Sequence, residues 1–214
     1  NVRYNFEYFI DKGFYWSVGI NSRYNSFHKN VNANLLSDQF EAISGLNKID
    51  AELSDFTNQF FVQTLFRRDF SLKLGAEHKR LKLSSETINS QGDEEETVFD
   101  KSDYFSVFGE LKFDTYDNKY FPSKGFYFDG DFQLFLSSSD YNNDFSQFSY
   151  AKANIGYVFS PLKNFSVRLG SEGGFKIGED SNTSLSFALG GYGNKPINNL
   201  IPFYGYDHIS LIGN

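Results

Sequence analysis

The sequence predicts an all-β protein, an antiparallel transmembrane β-barrel of which about eight strands are present. Three observations favour this fold class. Apolar and polar residues alternate along most of the chain, as in strands with one apolar face and one polar, solvated face. Aromatic residues make up 19% of the chain, with 26 Phe and 14 Tyr against 1 Trp, and lipid-facing barrel walls are rich in aromatics. Short turns also alternate with long loops, as they do in outer-membrane barrels.

Composition narrows the class of protein further. The 214 residues contain no low-complexity linker, which favours a single architecture. No run approaches the roughly 18 apolar residues that a membrane-spanning helix requires, so any membrane segment must be a strand. The chain has no Cys, and therefore no disulfide or thiolate site. A net charge of −7 without a clustered basic surface argues against a nucleic-acid partner.

The first two predicted strands flank a hairpin signal. Alternating apolar residues run from Val2 to Ile10, and Asp11-Lys12-Gly13 follows as a tight turn. The oily face resumes from Phe14 to Ile20. Because the pattern then continues polar through Asn25, we expect this strand to project beyond the membrane.

The next pair of strands encloses a second tight turn. Segment 31–54 is predicted to be a long mixed connection that allows a short helix, since its apolar residues have roughly helical spacing. Strand character returns from Phe56 to Phe66, reverses at Arg68-Asp69, and resumes from Phe70. The alternation then decays into a predicted polar connection at 84–103.

The central turn, between residues 113 and 125, organises the chain. Its Asp and Asn side chains can bond their own backbone, its proline pre-sets one φ angle, and its glycine tolerates a positive one. The segments on either side, 105–113 and 126–134, alternate as strands. The turn residues that we single out are Asp114, Asp117, Asn118, Phe121, Pro122 and Gly125.

Two further strands are predicted after a polar loop at 137–146. They run from Ala151 to Phe159 and from Phe165 to Ile177, around a turn at 160–163. Short turns at 11–13, 67–69, 116–124 and 160–163 therefore alternate with long loops at 31–54, 84–103 and 137–146. Outer-membrane barrels have short turns on the periplasmic side and long loops outside, so this asymmetry favours such a barrel over a soluble sandwich.

Two motifs together resemble the BamA-type superfamily of outer-membrane assembly and translocation barrels, also called the bacterial surface antigen family. The first motif is the turn from Asp114 to Gly125, which resembles that family's Asp-x-x-Asp-Asn…Phe-Pro-x-x-Gly turn. The second resembles the family's long loop that folds back into the lumen, and consists of Leu189, Gly190, Gly191, Phe203, Tyr204, Gly205 and Tyr206. The family has an arginine where this sequence has Tyr204, so that arginine's ionic contact with acidic lumen residues cannot form here.

The resemblance implies that the chain is the central part of a barrel of about 16 strands. Residues 1–178 would supply membrane strands with short periplasmic turns and long outer loops. Residues 179–214 would supply the inward-folding lumen loop and the start of the next strand. The remaining strands would come from the same protein or from a second chain, because lipid cannot satisfy unpaired backbone groups.

The resemblance also implies a function. The segments Asp-Lys-Gly-Phe-Tyr-Trp-Ser and Pro-Phe-Tyr-Gly-Tyr are similar to the barrel that follows a patatin-like phospholipase domain. The chain would then anchor or translocate an attached or partner polypeptide in the bacterial outer membrane, in contact with lipid. Arg168 is the candidate for holding the inward loop; the alternative is that mixed charges simply balance one another around lumen water.

Two other functions stay open at this stage. One is a closed eight-stranded outer-membrane barrel with a structural or adhesive role. The other is a soluble β-rich protein that binds a ligand with its aromatic residues. The first would require pairing between the first and last strands, and the second would dissolve without detergent.

The sequence offers no catalytic, metal or cofactor site. Asp93–Glu96 is interpreted as a solvated loop. Asp140, Asn142 and Asp144 have calcium-loop spacing, but Phe145 replaces the required glycine and Ala151 the bidentate glutamate. Three histidines lie in separate segments without a second ligand nearby, at positions His28, His78 and His208. No Gly-x-Ser-x-Gly segment or Ser/His/Asp set is present, so any lipase activity would reside outside this chain.

Overall fold

A computed structural model of the chain describes residues 2–13, 15–32, 48–66, 69–88, 94–139, 145–178, 187–189, 200–201 and 211–213. Within these ranges, eight strands form one sheet in chain order and every neighbouring pair is antiparallel. The strands are β1 Val2–Phe9, β2 Trp16–Asn32, β3 Lys48–Phe66, β4 Phe70–Ile88, β5 Glu94–Asp114, β6 Gly125–Ser138, β7 Phe148–Leu162 and β8 Phe165–Ile177. The predicted all-β fold with eight antiparallel strands is confirmed.

A second, small sheet lies in the C-terminal part of the chain. It consists of β9 Phe187–Leu189, β10 Leu200–Ile201 and β11 Leu211–Gly213. The central strand is β9, which pairs parallel with β10 and antiparallel with β11. No helix among the described residues is both long enough and apolar enough to cross a membrane.

Two predicted connections are wrong in extent. The connection at 31–54 is narrower because β2 continues to Asn32 and β3 already begins at Lys48. The connection at 84–103 is also narrower, since β4 continues to Ile88 and β5 begins at Glu94. Backbone pairing continues in both places although the exposed apolar stripe ends, because apolar residues there, such as Leu53 and Leu81, lie on the opposite, buried face. The helix allowed within 31–54 does not form at 48–54, and 33–47 lie outside the described residues.

The eight-stranded sheet has two chemically different faces: one exposes large apolar side chains, and the other buries polar and charged side chains together with a set of aromatic rings. The apolar face carries Phe6, Ile20, Phe60, Leu74, Val107, Phe132 and Ile155, all of them exposed. The polar face carries Ser17, Thr57, Glu77, Lys79, Ser106 and Gln133, all of them buried. Phe60, for example, is 57% exposed, whereas Glu77 is 1% exposed. Register fixes these faces, because a slip of one residue would exchange them.

The two edges of this sheet are β1 and β8. All residues of β1 are exposed, and so are nearly all residues of β8. An edge strand carries a row of backbone groups on one side that no neighbouring strand satisfies. The described part of the chain therefore forms an open sheet, to which further strands can add at either edge.

Candidate functional site

A hydrogen-bonded network crosses the polar face from β2 to β6, with Glu77 at its centre. Gln59 Nε2 donates to Glu77 Oε2 over 2.6 Å, and Gln133 Nε2 donates to Glu77 Oε1 over 2.7 Å. Asn21 Nδ2 extends the network by donating to Gln59 Oε1 over 3.1 Å. Gln133 also donates to Ser106 Oγ over 2.8 Å. Glutamine is well suited to this face because one amide both donates and accepts.

The Glu77 carboxylate also holds a buried cation. Lys79 Nζ lies 3.3 Å from Glu77 Oε1, and the two side chains are 3% and 1% exposed. Burying a charge is costly unless a partner and further hydrogen bonds compensate it, and here both are present. We interpret this cluster as a rigid tie between strands.

Ion pairs between neighbouring strands cover more of the polar face. They are Arg23 with Asp55 at 2.9 Å, Lys73 with Glu110 at 3.1 Å, Lys152 with Asp131 at 3.3 Å and Lys112 with Asp129 at 3.5 Å. Cations and anions alternate along this face, so no single sign of charge dominates it. Among the described residues, no group of His, Asp and Glu could hold a metal ion.

Aromatic rings on the polar face lie opposite glycines. The backbone register places Phe61 between Gly19 and Gly75, and places Phe108 opposite Gly75 on the other side. Lys73 Nζ lies 4.6 Å from the centre of the Phe61 ring and 5.3 Å from that of Phe108. This arrangement fills the space that glycine leaves and gives the ammonium group a cation–π contact.

A second aromatic cluster on this face was not predicted from the sequence. Its members are Tyr104, Phe135, Phe145, Phe148 and Tyr150. The rings of Phe135 and Phe148 stack with their centres 4.5 Å apart. Lys176 Nζ lies 4.8 Å from the centre of the Phe148 ring. The signal in the sequence is the unbroken run Leu134-Phe135-Leu136, where strict alternation would place a polar residue.

The predicted central turn connects β5 to β6, and Asp117 is its main acceptor. The Asp117 carboxylate accepts hydrogen bonds from the Ser123 backbone N–H at 2.8 Å and from the Ser123 hydroxyl at 2.5 Å. It also accepts one from the Lys124 backbone N–H at 3.2 Å. These bonds, that of the Ser123 hydroxyl foremost, lower the pKa of Asp117 from 3.8 to about 2.

The other residues of the turn motif have local roles. Asp114 Oδ1 accepts from the Tyr116 backbone N–H at 2.9 Å. Asn118 Oδ1 accepts from the backbone N–H groups of Tyr120 and Phe121, at 2.9 and 3.1 Å. Gly125 has φ = +127°, a conformation that glycine adopts without strain. The Phe121 side chain is exposed, whereas Pro122 is half-buried.

Arg168 contacts this turn. Its guanidinium carbon lies 5.9 Å from the centre of the Tyr116 ring. The Tyr116 ring in turn stacks on Tyr127, with ring centres 5.8 Å apart. The Tyr116 hydroxyl also lies directly over Gly156, where the Cβ of a larger residue would clash with it. Tyr116 therefore ties the turn to the polar face of β6, β7 and β8.

The structure leaves the lumen-loop motif largely undescribed. The backbone of Leu189 belongs to β9. The remaining motif residues, Gly190, Gly191, Phe203, Tyr204, Gly205 and Tyr206, lie outside the described residues. The proposed hold of Arg168 on this loop stays a prediction.

Of the residues that were considered and rejected as metal ligands, only some lie in the described part of the chain. His78 lies on the apolar face, where its Nε2 is 3.2 Å from Asp103 Oδ1. Glu94–Glu96 belong to β5 rather than to a loop. The residues outside the described part, or whose side chains are not described, are His28, Asp93, Asp140, Asn142, Asp144 and His208.

Comparison with known proteins gives one result for the whole chain. A family model described as the OMP85 superfamily matches residues 1–214. No curated protein matches the chain.

Proposed function

The chain belongs to the OMP85 superfamily, a family of outer-membrane β-barrels, and from this premise we propose that its strands form part of a barrel wall that anchors or passes a polypeptide. The polar face lines a hydrated lumen, and the apolar face meets lipid. The short turns lie on the periplasmic side, and the longer strand extensions lie outside. The polypeptide is an attached or partner domain, for which we propose a patatin-like phospholipase.

The observation that carries this proposal is the exposure of large apolar side chains on one face together with the burial of charged side chains on the other. A soluble protein exposes charged residues and buries its large apolar ones. This sheet exposes Phe6, Phe60, Leu74 and Phe132 and buries Glu77, Lys79 and Gln133. Such a pattern is stable where the solvent outside is hydrocarbon and the interior is polar. It disfavours the alternative of a soluble aromatic binding protein.

The polar face supports a mechanical role. Its charges are paired across strands, and its central carboxylate is satisfied by two glutamines and a lysine. Nucleophilic catalysis requires an activated nucleophile beside a base, and among the described residues of this face we assign no such pair. We therefore assign chemistry to a domain outside this chain and assign support to the barrel.

Heat-dependent gel migration of the full-length protein tests the barrel directly. We expect the unheated protein in detergent to migrate faster than the heated protein, because folded barrels stay compact. Phe60→Arg places a charge in the middle of the apolar face and should destabilise the folded form by about 2–4 kcal/mol. Phe121→Arg, in the exposed turn, is the matched control and should have little effect. A protein that dissolves without detergent and shows no heat-dependent shift would contradict the barrel.

Anchoring is tested separately, in intact cells. In the unmodified protein and in the Phe121→Arg variant, we expect a domain fused to the barrel to remain in the outer-membrane fraction. In the Phe60→Arg variant, we expect the domain to leave this fraction. If both variants retain the domain there equally, the barrel does not anchor it. Sequencing the gene on both sides of this chain then tests the lipase assignment, which requires a Gly-x-Ser-x-Gly segment.

The closed eight-stranded barrel is the second candidate, and the exposed edges β1 and β8 weigh against it. This chain has no Cys, so an engineered pair is the one disulfide that these 214 residues can form. Cysteines introduced in β1 and β8, for example at Phe6 and Leu169, should not form a disulfide in the folded protein. Rapid disulfide formation along this seam would favour the closed barrel.

A further inference from the structure

A cavity of about 490 Å³ lies at the end of the sheet where the first hairpin turn meets the end of β3. It is lined by Asp11, Tyr15, Trp16, Leu65 and Phe66. The Leu65 backbone N–H donates to the Tyr15 carbonyl over 2.7 Å, so the turn is fixed against β3. The volume is within the range of small-molecule sites. Neither the turn motif nor the polar face accounts for this cavity.

Among the residues that the structure describes, the lining of the cavity combines the Asp11 carboxylate with the rings of Tyr15, Trp16 and Phe66. Asp11 Oδ1 accepts from the Trp16 backbone N–H at 2.8 Å, and Asp11 Oδ2 accepts from that of Gly13 at 3.1 Å. These bonds, that of Trp16 foremost, hold the pKa of Asp11 below its usual range, so the group is anionic at neutral pH. The backbone N–H groups of Tyr15 and of Asp11 itself also contribute to this lowering, so the turn holds the carboxylate in place and its negative charge can attract a cation.

The lining residues favour a cation as the ligand. The rings of Tyr15, Trp16 and Phe66 are exposed at the cavity rather than buried in a core. Aromatic faces together with a carboxylate attract ammonium groups, by cation–π and ionic contact.

The position of the cavity identifies the class of ligand. Trp16 and Phe66 lie at the lower end of the apolar face, beside the short turns. On the proposed function, on which this inference rests, that level is the headgroup layer of the periplasmic leaflet. We propose that the cavity binds a phospholipid whose headgroup ends in a primary ammonium group. The ammonium group contacts Asp11 and the rings, and the start of an acyl chain lies along Phe66.

The test is lipid retention by the full-length protein in detergent, measured by native mass spectrometry after exposure to phosphatidylethanolamine or phosphatidylglycerol vesicles. We expect retention of phosphatidylethanolamine to exceed that of phosphatidylglycerol about fivefold, as one cation–π contact would give. Asp11→Asn and Phe66→Leu should each remove the preference. The matched controls are Asp114→Asn and Phe126→Leu, at the turn between β5 and β6 on the same end of the sheet. Both should keep the preference for phosphatidylethanolamine.

The outcomes separate this inference from the proposed function. Equal retention of both lipids, or an unchanged preference in Asp11→Asn and Phe66→Leu, overturns the ammonium site. If phosphatidylglycerol is retained better, the site favours a net anionic headgroup and the inference is wrong. Heat-dependent migration, measured on the same samples, reports on the barrel independently of headgroup preference.

Discussion

Gln133 Nε2 donates a hydrogen bond to Glu77 Oε1 over 2.7 Å and thereby joins β6 to β4 across the strand between them. The two residues are 56 positions apart in the sequence. Because Glu77 also bonds Gln59 and Lys79, one carboxylate ties together the centre of the polar face. A wall held in this way resists sliding of its strands against one another.

Glu77→Gln should destabilise the full-length protein by about 3 kcal/mol, because it leaves the Lys79 ammonium buried without its counter-ion. Denaturant unfolding in detergent or lipid measures this change. Asp129→Asn removes the partner of Lys112, which is 51% exposed, and should cost less than about 1 kcal/mol. Equal effects of the two substitutions would show that the Glu77 cluster is as accessible to water as the pair of Lys112 and Asp129. The double variant Glu77→Gln, Lys79→Met should recover most of the loss.

The apolar face and the strand order follow from sequence alone, but the Glu77 network does not. Period-two alternation fixes which face of the sheet carries Phe60 and Leu74, because only one register keeps the apolar side chains on the same face. The partners of Glu77 depend on register between strands that are distant in sequence. The strand ends near Asn32 and Lys48 lie beyond the exposed apolar stripe, and the nearby Leu53 lies on the buried face, so the period-two pattern of Phe56 to Phe66 does not continue there.

The same limit applies to the candidate site. The central turn could be predicted because its acceptors, Asp114, Asp117 and Asn118, act on backbone groups within seven residues. The contact between Arg168 and Tyr116 joins segments about 50 residues apart in sequence, and no local rule predicts it.

Gly75→Ala should destabilise the sheet by about 1–3 kcal/mol through overpacking. An added Cβ would meet the Phe60 carbonyl oxygen and the Phe108 ring at less than contact distance. Gly173→Ala is the matched control, because a Cβ there meets nothing within 4 Å. Thermal unfolding of the two variants measures the difference. A loss as large in Gly173→Ala would assign the effect to backbone flexibility rather than to packing.

Arg168 and Tyr116 should be energetically coupled. Arg168→Gln and Tyr116→Leu each remove the cation–π contact, so the double variant should lose about 0.5–1 kcal/mol less than the sum of the single variants. Unfolding midpoints of the four proteins give the coupling energy. Strict additivity would mean that the contact adds no stability, and would leave Arg168 to the role of holding the inward loop.

Asp117 should make the central turn sensitive to acid. Its pKa in the folded state is about 2, below its ordinary value of 3.8. A lowered pKa stabilises the folded state above the ordinary value, and this stabilisation is lost as the pH falls through about 2. Asp117→Asn should therefore lower the unfolding temperature at neutral pH, and this difference should vanish toward pH 2. A difference that persists unchanged there would contradict an ionised Asp117 as its origin.

The most direct test of the account is the environment of alternate residues along β3. This chain has no Cys, so spin labels can be placed at cysteines introduced one at a time at Gln59, Phe60, Val62 and Gln63, in the reconstituted full-length protein with any cysteine outside this chain replaced. We predict that oxygen, which dissolves in lipid, relaxes the labels at Phe60 and Val62, and that a water-soluble nickel complex relaxes those at Gln59 and Gln63. The opposite assignment, or no alternation, would contradict a lipid-facing apolar wall around a polar lumen.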